Sequence, residues 1–465
     1  MKNDSLYDAI RLKYQDLDNY KFARTEIDDI KLTTIFIKGM VDIKYFYAHI
    51  FPLINNKNYY KLDNDFQSFC SSLTIHTIDN IDYLLSSGNI ILIFENAKKE
   101  SFYYHMALMA LPTRSITESQ LDPANLFQAR DGLIENAATN LLLIKNRIKS
   151  PSLVTEKYVL GTTTQTDTYL LYLSKYKNEN YIKTIQDSLS KTTLVAICNI
   201  NSISKLFEKN AIFPLTNCSG SPEILVEYLL KGKAVIIVDG NPIAIILPGL
   251  FFNFTTAKDE IDAPKYFSIF KRFLVILCLF FSIFFLGFFI ALMNFHSNAL
   301  SLRLIASIKI TERGTILPMP IEILIVLFFF ELYNLATSRS PLGYIQNIVV
   351  LFGGIFIGQN AVTSGFIGSF ILLLTSICYI SGFAVSNNPR FVTSISILRI
   401  FLLIICSIFG FVGFFIGSAI IIFYLFTLKS VGVPYLTPFM PGKIKKARKY
   451  FTPENEEWKR IFVFC

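Results

Sequence analysis

Residues 349–368 read VVLFGGIFIGQNAVTSGFIG. The run is apolar enough to enter a bilayer, yet it holds Gly353, Gly354, Gly358, Gly365 and Gly368, with Gln359 and Asn360 in its middle. Unsatisfied amides are expensive in hydrocarbon, so these two need water or polar partners. On a helix at about 100° per residue, Asn347, Gly354, Gly358, Ala361, Gly365 and Gly368 share one narrow stripe. Gln359 and Thr363 fall opposite it, and Asn360 and Ser364 lie on a flank. Small residues at this spacing, with Gly354-xxx-Gly358 at the centre, let helices approach closely. Two readings stay open: a packing seam alone, or a seam on one face and a wet, pore-lining face on the other.

A second group of polar residues lies just upstream. Glu331 follows eight apolar residues and is costly against lipid. It either faces a partner helix or water path, with Arg339 as a candidate counter-charge, or snorkels at the helix end. Glu322 stands in the first turn after Pro318 and Pro320, where the positive end of the helix dipole accounts for it.

Elsewhere the chemistry-bearing residues form no constellation. His49, His76, His105 and His296 sit in no metal-ligating frame. Gly232-Lys233 is not a phosphate loop, because position 227 is Glu where that loop needs Gly. The seven cysteines are scattered without a CxxC pair. No catalytic residue, metal or cofactor is expected, and nothing argues for an enzyme.

The elements around these residues divide sharply. Of 465 residues, 52% are apolar and 17% charged, a balance that suggests a membrane protein. Residues 1–265 nevertheless carry charge at soluble frequency, whereas 273–293 hold none in a length that spans a bilayer. MKNDSLYDAI has no apolar stretch of signal-peptide type. Lys265, Lys271 and Arg272 precede the first span, and residues 443–465 are basic. Both ends are therefore expected on the cytoplasmic side, with an even number of crossings. The net charge of +9 is read as membrane orientation and not as nucleic-acid binding. Further spans are expected at 317–335, 345–363 and 366–385, followed by an SNNPR turn in which Arg390 and Arg399 mark a cytoplasmic loop. Residues 400–428 are uncharged over about 43 Å of helix. They form one tilted helix or two passes hinged at Gly410, Gly413 or Gly417, for four to six crossings in all.

The soluble half contains a repeat. DYLLSSGNIILIFENA (82–97) and EYLLKGKAVIIVDGNP (227–242) align with one gap, and LTTIFIKG (32–39) and TYLLYLSK (168–175) precede them. Two copies of a small α/β unit are expected, against the plainer reading that β-hairpins look alike. Asp239-Gly240 reads as a tight hairpin turn between two apolar strands covered on both faces. A helix with apolar Leu133, Ala137, Leu141, Ile144 and Ile148, capped by Asp131, lies between the copies. The fold class expected is a duplicated N-terminal α/β cytoplasmic domain followed by a helical multi-span membrane domain. Its divisions are a tail (1–30), a first subdomain (31–127), a bridging helix (128–150), a second subdomain (151–262), the membrane domain (263–442) and a basic tail (443–465).

Several of these stretches together resemble the A subunit of GerA-family spore germination receptors. They are the Arg130-Asp131-Gly132-x-x-Glu135 segment within 128–148, the LLKGKAVIIVDGNPIAIILPG hairpin, residues 291–308 and 310–323, and the closing KSVGVPYLTPFMP (429–441). The order matches over roughly residues 120–442. Two departures stand out. Thr315-Ile316-Leu317-Pro318-Met319-Pro320 replaces a Val-Pro-Phe-Pro continuation, and Gln128-Ala129 replaces Gly-Pro. The resemblance implies a multi-pass subunit in lipid of the spore inner membrane, with a permease-like B subunit that binds nutrient and a lipoprotein C subunit as partners. It implies a homo-oligomeric ring forming a nutrient-gated ion conduit. The alternative is a non-conducting scaffold or signal relay in the same complex.

Overall fold

The structure is a computed structural model. It describes residues 20–27, 30–38, 40–55, 71–72, 81, 84–85, 88–95, 101–108, 131–176, 179–192, 194–208, 211–255, 265–311, 315, 317–339 and 362–437.

The N-terminal half contains the same sheet twice. Strands β1 (Tyr20–Ile27), β2 (Ile30–Ile37), β3 (Ser71–Ser72), β4 (Asn89–Glu95) and β5 (Ser101–Ala107) pair in the order β1-β2-β4-β5-β3, every neighbour antiparallel. A helical segment, α1 (residues 43–55), follows β2. Then come α2 (Ala137–Arg147), β6 (Leu153–Leu160), β7 (Thr166–Leu173), α3 (Glu179–Ser190), α4 (Ile200–Glu208), β8 (Asn217–Ser219), α5 (Pro222–Leu230), β9 (Ala234–Val238), β10 (Ala244–Leu247) and a short α6 (Phe251–Thr255). The second sheet runs β6-β7-β9-β10-β8, the first order shifted by five.

The register repeats as well. Leu32 opposes Phe94 in the first sheet, and Thr168 opposes Val238 in the second. These are the pairs that the sequence repeat equates. Gly88 and Gly232 precede β4 and β9 with φ of +81° and +78°, backbone that favours glycine.

Every residue of β9 and β10 is buried. Alternation sends Ile236, Val238, Ile245 and Leu247 to one face, against Ile182, Ile185, Ile203 and Phe207 of α3 and α4. Val235, Ile237 and Ile246 go to the other, against Ile144 of α2 and Leu225 and Leu229 of α5. Helix α2 thus packs on the second sheet. Its N-cap is Asn136, whose side chain accepts from Thr139 N, and not the expected Asp131. Asp131 lies before the helix and pairs with Arg147 at 2.5 Å.

Lys145 lies on the covered side of α2, 7% exposed, and burial pushes its ammonium down to about 8. The unfolded chain, near 10.4, then binds more protons between those values. Stability should therefore rise as pH increases from about 8 to about 10.4, with the burial cost fully present below 8. Lys145→Met is expected to raise stability at pH 7 by about 1–3 kcal/mol and to flatten that rise. Thermal unfolding of the detergent-purified full chain between pH 7 and 10 measures both.

The C-terminal half is helical. Helix α7 (residues 265–295) includes a π-turn at Phe281–Phe285. It is followed by α8 (Leu302–Thr311), α9 (Met319–Arg339) and α10 (Ser369–Val385). Pro389–Thr427 is continuous in helical character except at Gly410, with φ +60° and ψ −136°. That break makes two helices, α11 (389–409) and α12 (411–427), folded into a hairpin. A Cβ on Gly417 would lie 2.7 Å from Leu402 Cδ1, although fifteen residues of straight helix separate such positions by about 22 Å. The long uncharged run is therefore two helices hinged at Gly410, and not one tilted helix.

Ile269–Phe295, Met319–Ala336 and Pro389–Thr427 are long and apolar enough to cross a membrane, and Ser369–Val385 is a shorter apolar helix. Helix α7 leaves the α/β domain and ends at Phe295, whose ring faces Gly410 at the hairpin tip. Helices α9 and α10 run parallel, since Glu322 meets Gly368 at one level and Phe330 meets Tyr379 further along. After α12 come β11 (Lys429–Ser430) and β12 (Val433–Pro434), paired antiparallel.

Candidate functional site

The residues that join the α/β domain to the membrane helices form the most elaborate site among the described residues. Helix α11 begins with Asn388 as N-cap, its Oδ1 accepting from Arg390 N at 3.0 Å, and Pro389 in the first turn. That start aims Arg390 at α4. Its Nη1 lies 3.2 Å from Glu208 Oε2, and its Nη2 donates to Asn201 Oδ1 at 2.5 Å. Glu208 also accepts from Thr216 Oγ1 at 2.6 Å. One backbone unit then holds both arms of the hairpin. Ser394 Oγ of α11 donates to Ile212 O at 2.6 Å, and Ile212 N donates to Tyr424 OH of α12 at 2.8 Å.

Beside these bonds lies an aromatic cluster. The ring of Phe391, fully buried, has Phe213 at 5.3 Å, Phe251 at 5.4 Å and Phe254 at 5.5 Å, the last stacked at 16°. Tyr435 closes the group, 6.0 Å from both Phe213 and Phe251. Phe213, Phe251 and Phe254 come from the α/β domain, and Phe391 comes from the membrane hairpin. Such edge and stacked pairs add to the area they bury.

A brace completes the joint. After α12 the chain makes a two-residue turn at Val431 and Gly432, with φ of +47° and +80°. Positive φ at a β-branched residue is strained and persists only where its surroundings impose it. Here Val431 and Val433 are buried in the core of the second sheet. Ser430 Oγ donates to Leu215 O at 2.7 Å and accepts from Gly249 N at 3.1 Å. Phe251 N donates to Tyr435 O at 3.1 Å. A Cβ on Gly249 would lie 2.6 Å from Leu215 O, so the close approach of these strands requires glycine there.

Lys233 stiffens the domain side. Its Nζ donates to Pro248 O at 3.1 Å and Asn253 Oδ1 at 2.7 Å, with the Tyr228 ring 4.5 Å away. Burial holds this ammonium well below the usual lysine range. It links the start of β9 to α6, which carries Phe251 and Phe254.

The residues singled out by sequence are spread over the molecule. Asp239 and Gly240 form the expected turn, Gly240 with φ +79°. They also hold α2: Asp239 Oδ1 accepts from Ala137 N at 2.9 Å, and Gly240 N donates to Glu135 O at 2.7 Å. Gly132 is buried, Glu135 is exposed, and Arg130 lies outside the described residues. Thr363 is exposed, and Gly365 is half-buried with φ +68°. Gly354, Gly358, Gln359, Asn360 and Ala361 lie outside the described residues. Glu322 is buried, and its Oε2 accepts from Gly368 N at 3.2 Å, at the start of α10. Glu331 is half-buried on α9, and Arg339 ends that helix about 12 Å further along. Arg399 stands over the Tyr379 ring, which stacks on Phe330, the neighbour of Glu331 in α9. Arg399 does not mark a loop: it lies ten residues into the Pro389–Thr427 element, 1% exposed.

Sequence reading missed Phe391, gave Lys233 no role, and set Arg390 and Arg399 in a loop, not at a joint and in a helix core. A legible signal existed only for the last, an arginine inside an apolar run.

Comparison with known proteins gives the family of the chain. The family model described as "Bacillus/Clostridium GerA spore germination protein" matches residues 8–460. The chain is 32% identical over 369 residues to spore germination protein XA of Bacillus anthracis, covering 78% of this chain and 73% of that protein. It is 27% identical over 427 residues to spore germination protein KA of Bacillus subtilis, covering 90% and 77%. Among solved structures, the N-terminal domain of the A subunit of the Bacillus megaterium spore germinant receptor GerK3 is similar at 19% identity with a TM-score of 0.40. It covers 54% of this chain and 96% of that one. The chain belongs to the GerA family of Bacillus/Clostridium spore germination proteins.

Proposed function

We propose that this chain is the A subunit of a nutrient-responsive spore germination receptor, and that its membrane domain oligomerises into the wall of an ion conduit. In this reading a permease-like B subunit binds nutrient, a lipoprotein C subunit completes the complex, and the whole lies in the spore inner membrane. Both termini face the cytoplasm, the side on which the α/β domain stands. The tail (1–30), two subdomains (31–127 and 151–262) and linking segment (128–150) form the cytoplasmic part, and residues 263–442 form the membrane part.

The observation that carries the reading is the joint around Phe391. Bonds from Glu208, Asn201 and Ile212, the aromatic cluster and the 429–435 brace fix the second α/β unit to both arms of one membrane hairpin. A displacement of that unit must move α11 and α12 with it. In this reading Gly354, Gly358 and Ala361 seat one helix against its neighbour and Gln359 and Thr363 wet its other face, with Asn360 on the flank; Gly365, expected on the same stripe, instead turns the chain at φ +68° beyond the helix. Glu331 supplies intramembrane charge, with Arg399 as the cation packed through Tyr379 against its neighbour Phe330.

Replacing Gly358 by leucine widens the seat by four carbons and is expected to abolish nutrient-triggered ion release from spores, with the receptor at normal abundance. Ion release is followed in spores carrying the variant as the only copy. Undiminished release would remove the pore assignment and leave the scaffold reading.

A further inference from the structure

Arg399 is held in an unusual way for a charge among apolar helices. Its Nε donates to Ser282 O at 2.6 Å and its Nη2 donates to Ser282 Oγ at 2.5 Å. Ser282 lies in the π-turn of α7, where the wider winding takes a carbonyl out of the regular helical ladder. Both acceptors are neutral. The third nitrogen, Nη1, is buried and has no acceptor among the described residues. A guanidinium this deep is costly unless a carboxylate or a full set of hydrogen bonds compensates it.

A carboxylate lies one residue from the aromatic pair next to the guanidinium. The guanidinium carbon stands 5.5 Å from the centre of the Tyr379 ring. That ring stacks on Phe330 of α9 at 4.8 Å, and the Tyr379 hydroxyl donates to Phe330 O at 3.1 Å. Glu331 is the next residue of α9 after Phe330. The space on the other side is kept small: a Cβ on Gly382 would lie 3.0 Å from both Arg399 Nη2 and Ser282 Oγ. One arginine of α11 therefore stands between a neutral seat on α7 and an acidic seat on α9.

We propose that Arg399 is a two-position latch. In the state described here it rests on Ser282, and in a second state the guanidinium turns to pair with the Glu331 carboxylate. A bidentate guanidinium–carboxylate pair satisfies Nη1 and neutralises both charges. The exchange passes a hold on α11 from α7 to α9, and α11 is the helix that the α/β domain grips through Phe391. The latch couples the position of that domain to the packing of the membrane helices.

The two seats compete for one group, so weakening them has opposite consequences. Ser282→Ala removes an acceptor of the first seat, and Gly382→Ala crowds it. Glu331→Gln removes the carboxylate of the second. In spores carrying full-length receptor at wild-type abundance, checked by immunoblot, the half-maximal nutrient concentration for germination is measured. Ser282→Ala and Gly382→Ala are expected to shift it in one direction and Glu331→Gln in the other, each by about tenfold. The Ser282→Ala/Glu331→Gln double variant should return close to wild type. Shifts of the same sign, or no shift in any variant, would overturn the latch.

If Glu331→Gln lowers abundance, the exchange Glu331→Arg with Arg399→Glu carries the test. A better response than either single variant supports the pairing, and a response no better overturns it. The inference rests on the chain acting in a nutrient receptor. Restoration of the nutrient response by the wild-type chain in a strain lacking it tests that reading separately.

Discussion

Phe391→Ala is expected to lower the stability of the full chain by about 3–5 kcal/mol, the range for removing a fully buried phenylalanine ring. Phe391 has no exposed surface and stands within 5.5 Å of three other rings. The cavity would open where the α/β domain meets the hairpin, and neither side can collapse into it while the brace holds. Thermal unfolding of the detergent-purified chain measures the loss, and a change below about 1 kcal/mol would show a loose joint. Phe391→Leu separates folding from coupling. It keeps an apolar side chain in the site at a cost below about 1.5 kcal/mol, yet removes the stacked contact with Phe254. Normal abundance with a weakened nutrient response in that variant would assign the ring contacts to transmission.

Gly413→Ala is the second variant with a large expected effect. A Cβ there would lie 2.6 Å from Ile405 O and 2.9 Å from Phe409 Cβ, and the backbone carbonyl cannot be rotated aside as a side chain could. Overpacking of this kind costs about 1–3 kcal/mol and more where backbone must shift. The return of α12 along α11 depends on this contact, and Tyr424 reaches Ile212 only if the hairpin closes. The variant is expected to accumulate poorly and to expose the 411–427 arm to protease. The same substitution at Gly240, where nothing lies within 4 Å of the added atom, strains only its own backbone and should cost less. Protease sensitivity and receptor abundance, compared between the two, give the measurement. Equal abundance would contradict the hairpin.

What could be read from the sequence was local and periodic. The repeat was visible because strands alternate every two residues and because a glycine with positive φ must precede β4 and β9. The turn at Asp239-Gly240 was legible for the same reason. Its second role, holding the first turn of α2 across more than a hundred residues, was not, since no local pattern encodes it. Three glycines were candidates for the hinge in 400–428. Only Gly410 has the non-helical backbone, while Gly413 and Gly417 are small because the other arm passes beside them. All three look alike in one dimension.

Residues 429–437 were recognisable as a segment, but not as a brace, because their partners at Leu215, Gly249 and Phe251 lie about 180 residues away or more. Arg399 was placed in a loop because charge normally ends a span. The fold instead buries it, through a π-turn on a distant helix.

In the proposed function the membrane domain conducts ions when the complex senses nutrient. Ion flux through vesicles reconstituted with the full chain, alone and with its B and C partners, tests it most directly. The expected result is nutrient-dependent flux in the assembled complex that is lost in Gly358→Leu. An assembled, nutrient-binding complex that passes no ions would contradict it and leave this chain as a scaffold.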